Sequence, residues 1–363
     1  MPVAVEEAKP ESELTVAVLP GDGIGSEVMD AALAVLQQLR MQVPELRLRL
    51  QHYPAGAAEY QRSGSALPAD TLQACRDADA VLLGAMGLPH VRQPDGREVT
   101  PQIDLREHFQ LYQGIRPAYL YHQLDTPLRA VQAGEIDLIV VRESTEGLFH
   151  SRGQQIAPNA ETVDDTLRVT RHGSERLFHS AFRLARARRQ KLTLVDKANV
   201  LPSMVLFRHY FDQIAKLYPD VQTERMYVDA AALHMVRRPQ SFDVIVTENM
   251  FGDILSDLAA ALVGGMGMAP SADIGEDVAV FQPCHGTAPD IAGKGIANPI
   301  AMILSLAMML DWLDTAATRS AAVLLRKAVS HALQDPSVRT PDLGGNCTTA
   351  RLTEAVLASL RTG

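Results

Sequence analysis

Short apolar runs that end in charged residues or glycine turns recur along the chain. Leu14–Leu19 (LTVAVL) leads into PGDGIGSE and then into an amphipathic stretch over Val28–Leu39. That pattern predicts strand, glycine turn and helix. Ala80–Leu83 (AVLL) predicts another strand, closed by the turn GAMG. IDLIVVRE (136–143), KLTLVDK (191–197) and FDVIVTEN (242–249) share the same build. Such runs suit parallel strands buried on both faces, with functional groups at their C-terminal ends. Helical periodicity fills the gaps, as in SERLFHSAFRLARARR (174–189), whose charge cluster over 183–189 reads as a solvated face. PIAMILSLAMMLDWL (299–313) is apolar but too short to span a bilayer, so it predicts a buried core helix. The alternation of strands and helices assigns the chain to the α/β class.

Composition narrows the picture. At roughly 150 residues per domain, 363 residues make about two domains. A formal net charge of −9 argues against general nucleic-acid binding, because phosphates would be repelled. Cys75, Cys284 and Cys347 are odd in number and widely spaced, which predicts a reducing, cytoplasmic setting without a disulfide framework. The acidic start MPVAVEEAKPESEL has no signal-peptide pattern, and residues 1 to about 13 read as a loose tail. No membrane partner is expected.

Candidate chemistry lies in carboxylates, a lysine and arginines. GDGIG is neither G-x-G-x-x-G nor a Walker loop, so it predicts a tight turn, with or without a ligand. Asp253 and Asp257 stand four apart in an otherwise apolar helix and fall on one face. Oxygen ligands at that spacing suit Mg²⁺ or Mn²⁺, while acids near a helix start also suit the dipole. Asp229, at the end of another strand-like run, is a third candidate ligand. Lys197 ends the run 191–197, where a lysine held among carboxylates can move a proton. Arg106, Arg116 and Arg142 could together grip a small polycarboxylate through paired hydrogen bonds.

PGDGIGSE, LREHFQLYQGIRP, VVRESTEGLF, VDKANV, YVDAAA, TENMFGDILSDLAA and HGTAPDIAGKGIANP occur in this order. The combination resembles the isocitrate/3-isopropylmalate dehydrogenase family over residues 14 to about 355. The resemblance implies an α/β, two-domain fold similar to a doubly wound sheet but not a Rossmann fold, with the active-site cleft between domains. It implies a cofactor-side domain of residues 1–111 plus 264–363, and a dimerisation domain of residues 112–263 with an arm near 150–173. It implies a homodimer with a shared active site: Asp253 and Asp257 bind a divalent metal, while Lys197 and Asp229 act across the interface as catalytic groups, Asp229 also as a metal ligand. Arg106, Arg116 and Arg142 hold the malate carboxylates. His285, Gly286, Thr287, Ala297 and Asn298 match the cofactor loop, and Asp290 stands where a carboxylate accepts the ribose hydroxyls and favours NAD over NADP.

Three positions depart from the family pattern or select among its members. Phe149 stands where the family usually has the tyrosine that assists the last protonation, which leaves His150, Tyr121 or a water for that step. Thr100 takes the hydroxyl position of isocitrate and homoisocitrate enzymes, Gln102 replaces the asparagine usual in isocitrate enzymes, and the paired leucines of isopropylmalate enzymes are absent. They point to a small or polar C3 substituent, as in isocitrate, homoisocitrate, D-malate or tartrate, ahead of 3-isopropylmalate. A non-catalytic regulatory subunit is the further alternative; the intact Lys197, aspartates and arginines stand against it.

Overall fold

The computed structural model describes residues 13–157 and 159–362. The expected tail, apart from Glu13, therefore lies outside the described residues. Ten strands are present: β1 (Leu14–Leu19), β2 (Leu48–His52), β3 (Ala80–Leu83), β4 (Gln113–Tyr119), β5 (Asp137–Glu143), β6 (Lys191–Asp196), β7 (Gln222–Tyr227), β8 (Val244–Thr247), β9 (Pro270–Ile274) and β10 (Ala279–Pro283). Helices α1 (Ile24–Gln42), α2 (Ala57–Ser63), α3 (Ala69–Asp77) and α4 (Pro101–His108) accompany the early strands. Helices α5 (Arg171–Arg186), α6 (Pro202–Ala215), α7 (Val228–Arg237) and α8 (Asn249–Ala261) belong to the middle of the chain, and α9 (Ile300–Leu313), α10 (Ala316–Ala332) and α11 (Thr349–Thr362) to its end.

All ten strands form one sheet in the order β2-β1-β3-β10-β9-β4-β5-β8-β6-β7. The outer strands run parallel to their neighbours, as the apolar runs predict, but the central steps β10–β9, β9–β4 and β4–β5 are antiparallel. Two parallel halves thus run in opposite directions and meet at β9 and β4.

The helices form for the reasons their patterns indicate. In α1, Val28, Ala32, Val35 and Leu39 recur at three- and four-residue spacing and are buried. α9 is buried nearly all round because it lies on β9 and β10 with α1 and α10 against it. Among the described residues, no helix is long and apolar enough to cross a membrane. Residues 171–173, expected in the polar arm, are the first turn of α5, where the Thr170 side chain accepts from Gly173 N–H. The three cysteines are free.

The PGDGIG turn is a packing device. Gly21 and Gly23 have φ of 80° and 56°. A Cβ at either would sit 2.1 Å from a backbone oxygen, of Ala85 and Thr287 respectively. The Asp22 carboxylate accepts from the backbone N–H groups of Ala57 (2.7 Å), Ala58 (2.9 Å) and Gly87 (2.8 Å). The turn therefore locks β1 to the loop after β3 and to the loop after β10.

Candidate active site

Strand register assembles one wall of the site. Arg142 on β5 lies opposite Gly114 on β4, which lies opposite Asp273 on β9. Directly paired residues share a face, and residues two apart return to it. Arg116, Ser271 and Gln282 are therefore on this same face, while Ile115, Ala272 and Phe281 point to the other. Gly114 leaves room for the row: a Cβ there would stand 2.7 Å from Ser144 Oγ and 3.2 Å from Asp273 Oδ1.

Asp273 is the hub of the wall. It is fully buried and accepts from Arg106 Nε (3.1 Å), Arg116 Nη2 (3.0 Å) and Gln282 Nε2 (2.7 Å). Burial alone would push its carboxyl up, but Arg106, Arg116 and Arg142 overcome that and hold it at about 2. Arg116 also donates to the Ala272 carbonyl at 3.1 Å. Burial, then repulsion from Arg106, brings the Arg142 guanidinium down to about 10. Arg142 donates from Nε (2.9 Å) and Nη2 (2.7 Å) to Asn249 Oδ1, and pairs with Asp253. Asp273 fixes the orientation of Arg106 and Arg116, while Asn249 and Asp253 fix Arg142. The guanidinium donors left unused face the cavity and suit a dicarboxylate.

The opposite wall is α8. Glu248 caps it by accepting from Phe251 N–H at 2.6 Å. Gly252 permits contact with β5, since a Cβ there would lie 2.6 Å from Arg142 Cγ. One turn on, Asp253 and Asp257 both line the cavity. Partial enclosure and then the charge of Asp253 push the Asp257 carboxyl up. Two carboxylates with one cationic partner, Arg142 on Asp253, fit a hard divalent cation, which would relieve the remaining repulsion. The cavity between the walls holds about 280 Å³ and is completed by Gln102, Ile103, Phe149, Cys284, His285 and Gly286. The Phe149 ring lies over the Arg142 guanidinium, 5.0 Å from ring centroid to Cζ.

The residues expected from sequence divide into three groups. Arg106, Arg116, Arg142, Gln102, Asp253, Asp257, His285 and Gly286 come together in the cavity. Lys197 and Asp229 do not: Lys197 Nζ donates to Asp229 Oδ1 at 2.6 Å, away from the cavity, and the Asp229 side chain is 70% exposed. Asp229 is not at a strand end as expected but in the first turn of α7. Within the chain, no group of three or more potential metal ligands forms among the described residues. Thr100 also misses the cavity, because its hydroxyl accepts from Arg152 Nη2 at 2.7 Å. Tyr121 lines a groove on the opposite face of the sheet, so it is corrected as a candidate proton donor.

In the cofactor segment, Thr287 Oγ1 donates to the Gly87 carbonyl at 2.6 Å, and Ala297 and Asn298 are buried. Asn298 Nδ2 donates to Asp342 Oδ2 at 3.1 Å. These three residues shape the segment 285–298, while Asp290 is exposed. His285 Nε2 is buried without a hydrogen-bond partner, and burial pushes the imidazole down. A ring with one unused nitrogen beside an open glycine fits a nucleotide base or ribose. Sequence reasoning missed Asp273, Gln282 and Asn249; the signal for the first was a lone acid inside the apolar segment APSADIG.

A sequence profile described as isocitrate/isopropylmalate dehydrogenase matches residues 15–356. The chain belongs to this family. It is accordingly a decarboxylating oxidoreductase. It is 44% identical over 351 residues to a 3-isopropylmalate dehydrogenase of Mannheimia succiniciproducens, covering 93% of this chain and 96% of that one. A 3-isopropylmalate dehydrogenase of Moorella thermoacetica is 45% identical over 337 residues, with 90% and 92% covered. Among solved structures, the isocitrate dehydrogenase of Methylococcus capsulatus superposes with a TM-score of 0.86 at 38% identity, covering 96% of this chain and 99% of that one. A beta-decarboxylating dehydrogenase of Thermococcus kodakarensis gives 0.80 at 37% identity, with 96% of each chain covered.

Proposed function

We propose that this family member oxidises and decarboxylates a malate bearing a small or polar C3 substituent, with NAD and Mg²⁺ or Mn²⁺. The carrying observation is that three buried guanidiniums, two of them bonded to Asp273, line one cavity sized for a small acid together with Asp253 and Asp257. Gln102 supports the polar substituent, because its Oε1 is buried without a partner at the cavity and suits a substrate hydroxyl. Reduction of NAD by isocitrate, D-malate, tartrate and 3-isopropylmalate, with CO₂ measured alongside, tests the reading. A hydroxylated or carboxylated C3 group is expected to give the highest kcat/KM; preference for isopropylmalate would overturn it. The second reading, 3-isopropylmalate itself, is favoured by the relatives and by the apolar Met86, Ile103 and Phe149 at the cavity.

In this reading residues 1–111 and 264–363 form the cofactor-side domain and 112–263 the second domain. Arg152 of the second then bonds Thr100 and Asp104 (2.6 Å) of the first across the cleft mouth. The active unit is a homodimer, because Lys197 and Asp229 complete a site only if supplied by another copy. Exposed apolar side chains near that pair, Val200, Val205, Leu233 and Ile254, are more than half exposed and supply a face for it.

In this reading the residues divide the work. Arg106, Arg116 and Arg142 fix the carboxylates and so align the C2 carbon. Lys197 of the second copy relays the hydroxyl proton: its ammonium gives a proton to the bonded Asp229 carboxylate as it accepts the one from the hydroxyl. Asp253 and Asp257 hold the cation, His285 and Asp290 the nucleotide. Bound cation and NAD supply polarisation of the C2 oxygen and the hydride acceptor. Phe149 excludes water over Arg142 but donates no proton. His150 is exposed and outside the cavity lining, so a water makes the last delivery. Phe149→Tyr is expected to speed enol protonation by about 10²- to 10⁴-fold, the range of a placed general acid. Deuterium incorporation into product reads this, and unchanged rates in every step would count against it.

A further inference from the structure

The four central strands have a second face. Ile115, Ala272 and Phe281 form an apolar row there, back to back with the arginine wall. α9 lies over β9 and β10 and buries Ala272 and Phe281, α5 passes on the β5 side, and a groove of about 800 Å³ runs between the two helices, bordered by Ile115 and the half-exposed Tyr119. That volume lies within the ~300–1,000 Å³ of small-molecule sites. Three amphipathic rings stand around it: Tyr119 and Tyr121 at 4.8 Å edge-to-face, and Trp312, which is 40% exposed.

Charge selects the occupant. Of the ionic groups along the groove, Arg188 is paired with Asp137 at 2.7 Å, and Arg326 with Asp311. Arg183 remains. It is exposed on the α5 rim and its guanidinium has no ion pair or hydrogen bond among the described residues. The stretch 183–189 expected as a solvated face is thus mostly engaged with acids, and Arg183, free among the described residues, borders an apolar slot lined with aromatic side chains.

We infer that this groove binds a small anionic aromatic molecule, its rings against Tyr119, Tyr121 and Trp312 and its acid on Arg183. Aromatic faces with a hydrogen-bonding edge and a guanidinium at one end complement that chemistry. The inference is independent of which malate occupies the front cavity.

Trp312 is the only tryptophan in the chain, which gives a direct readout. Anilinonaphthalene sulfonate serves as the anionic aromatic probe and phenylnaphthylamine as its neutral counterpart, each titrated into the enzyme without NAD and again with saturating NAD. The expected result is saturable binding of one sulfonate probe per chain, with Trp312 quenched by energy transfer. Trp312→Phe should abolish the transfer but not the binding. Arg183→Glu, at a side chain with no partner to lose, should weaken the sulfonate about tenfold, the worth of one charge-assisted bond. It should change phenylnaphthylamine by less than twofold. Unsaturable binding, equal affinity in Arg183→Glu, or displacement by NAD would overturn the inference. So would loss of the signal as protein concentration rises, which would make the groove a face between copies.

Discussion

Arg142→Ala lowers kcat/KM by about a thousandfold in the expected result, corresponding to ~4 kcal/mol for truncating a buried, hydrogen-bonded charge. The guanidinium is 3% exposed and occupied on one side by Asn249, so its remaining donors face the cavity in fixed geometry. Its removal also frees Asp253 from its partner and takes the support from under Phe149. Arg142→Lys should recover little, because a point charge does not reproduce a planar fork. Steady-state kinetics checks this, with circular dichroism confirming the fold. A loss below about tenfold would place the substrate elsewhere.

The second large effect is a gain. Lys197→Ala and Arg142→Ala are each expected to be nearly inactive, yet mixing them under conditions of subunit exchange should restore activity. In a mixed dimer one site receives Arg142 from one copy and Lys197 from the other, both unaltered, while the second site carries both changes. Random exchange makes half the dimers mixed, so specific activity should approach about one quarter of the unmodified enzyme, as the isologous symmetry requires. Activity that stays at the level of the separate variants would mean that Lys197 serves its own chain or none.

Much of this architecture was legible in the sequence where one rule applied at a time. LTVAVL and AVLL are strands because they are buried on both faces, and their boundaries match the apolar runs. The antiparallel centre was not legible, because β4 and β9 carry two messages at once. Their alternate positions are apolar toward the back groove and charged or glycine toward the cavity, as in QGIRPAY. Asp253, Asp257 and the arginines stood out as charges in apolar surroundings. Asp273 is the same kind of signal, but its meaning depended on register with strands far away in sequence. Thr100 was misplaced because nothing local shows that Arg152, about fifty residues on, takes its hydroxyl. Lys197 and Asp229 could be named from resemblance, but their purpose is invisible in one chain, where they only neutralise each other.

The single ten-stranded sheet also dictates an order of assembly during synthesis. On the ribosome, β1, β2 and β3 emerge first, yet Val81 has to wait for Val280 to arrive before that edge is closed. The block β5-β8-β6-β7, by contrast, is complete once β8 has left the tunnel, because its partners lie within about a hundred residues of one another. The middle of the protein can therefore become ordered while its beginning is still an open, apolar-edged fragment. Loop-closure cost delays the long-range pairing and leaves that fragment exposed to aggregation or in need of a chaperone. The slow, vulnerable step in the life of this enzyme is then the return of the C-terminal third to the N-terminal one.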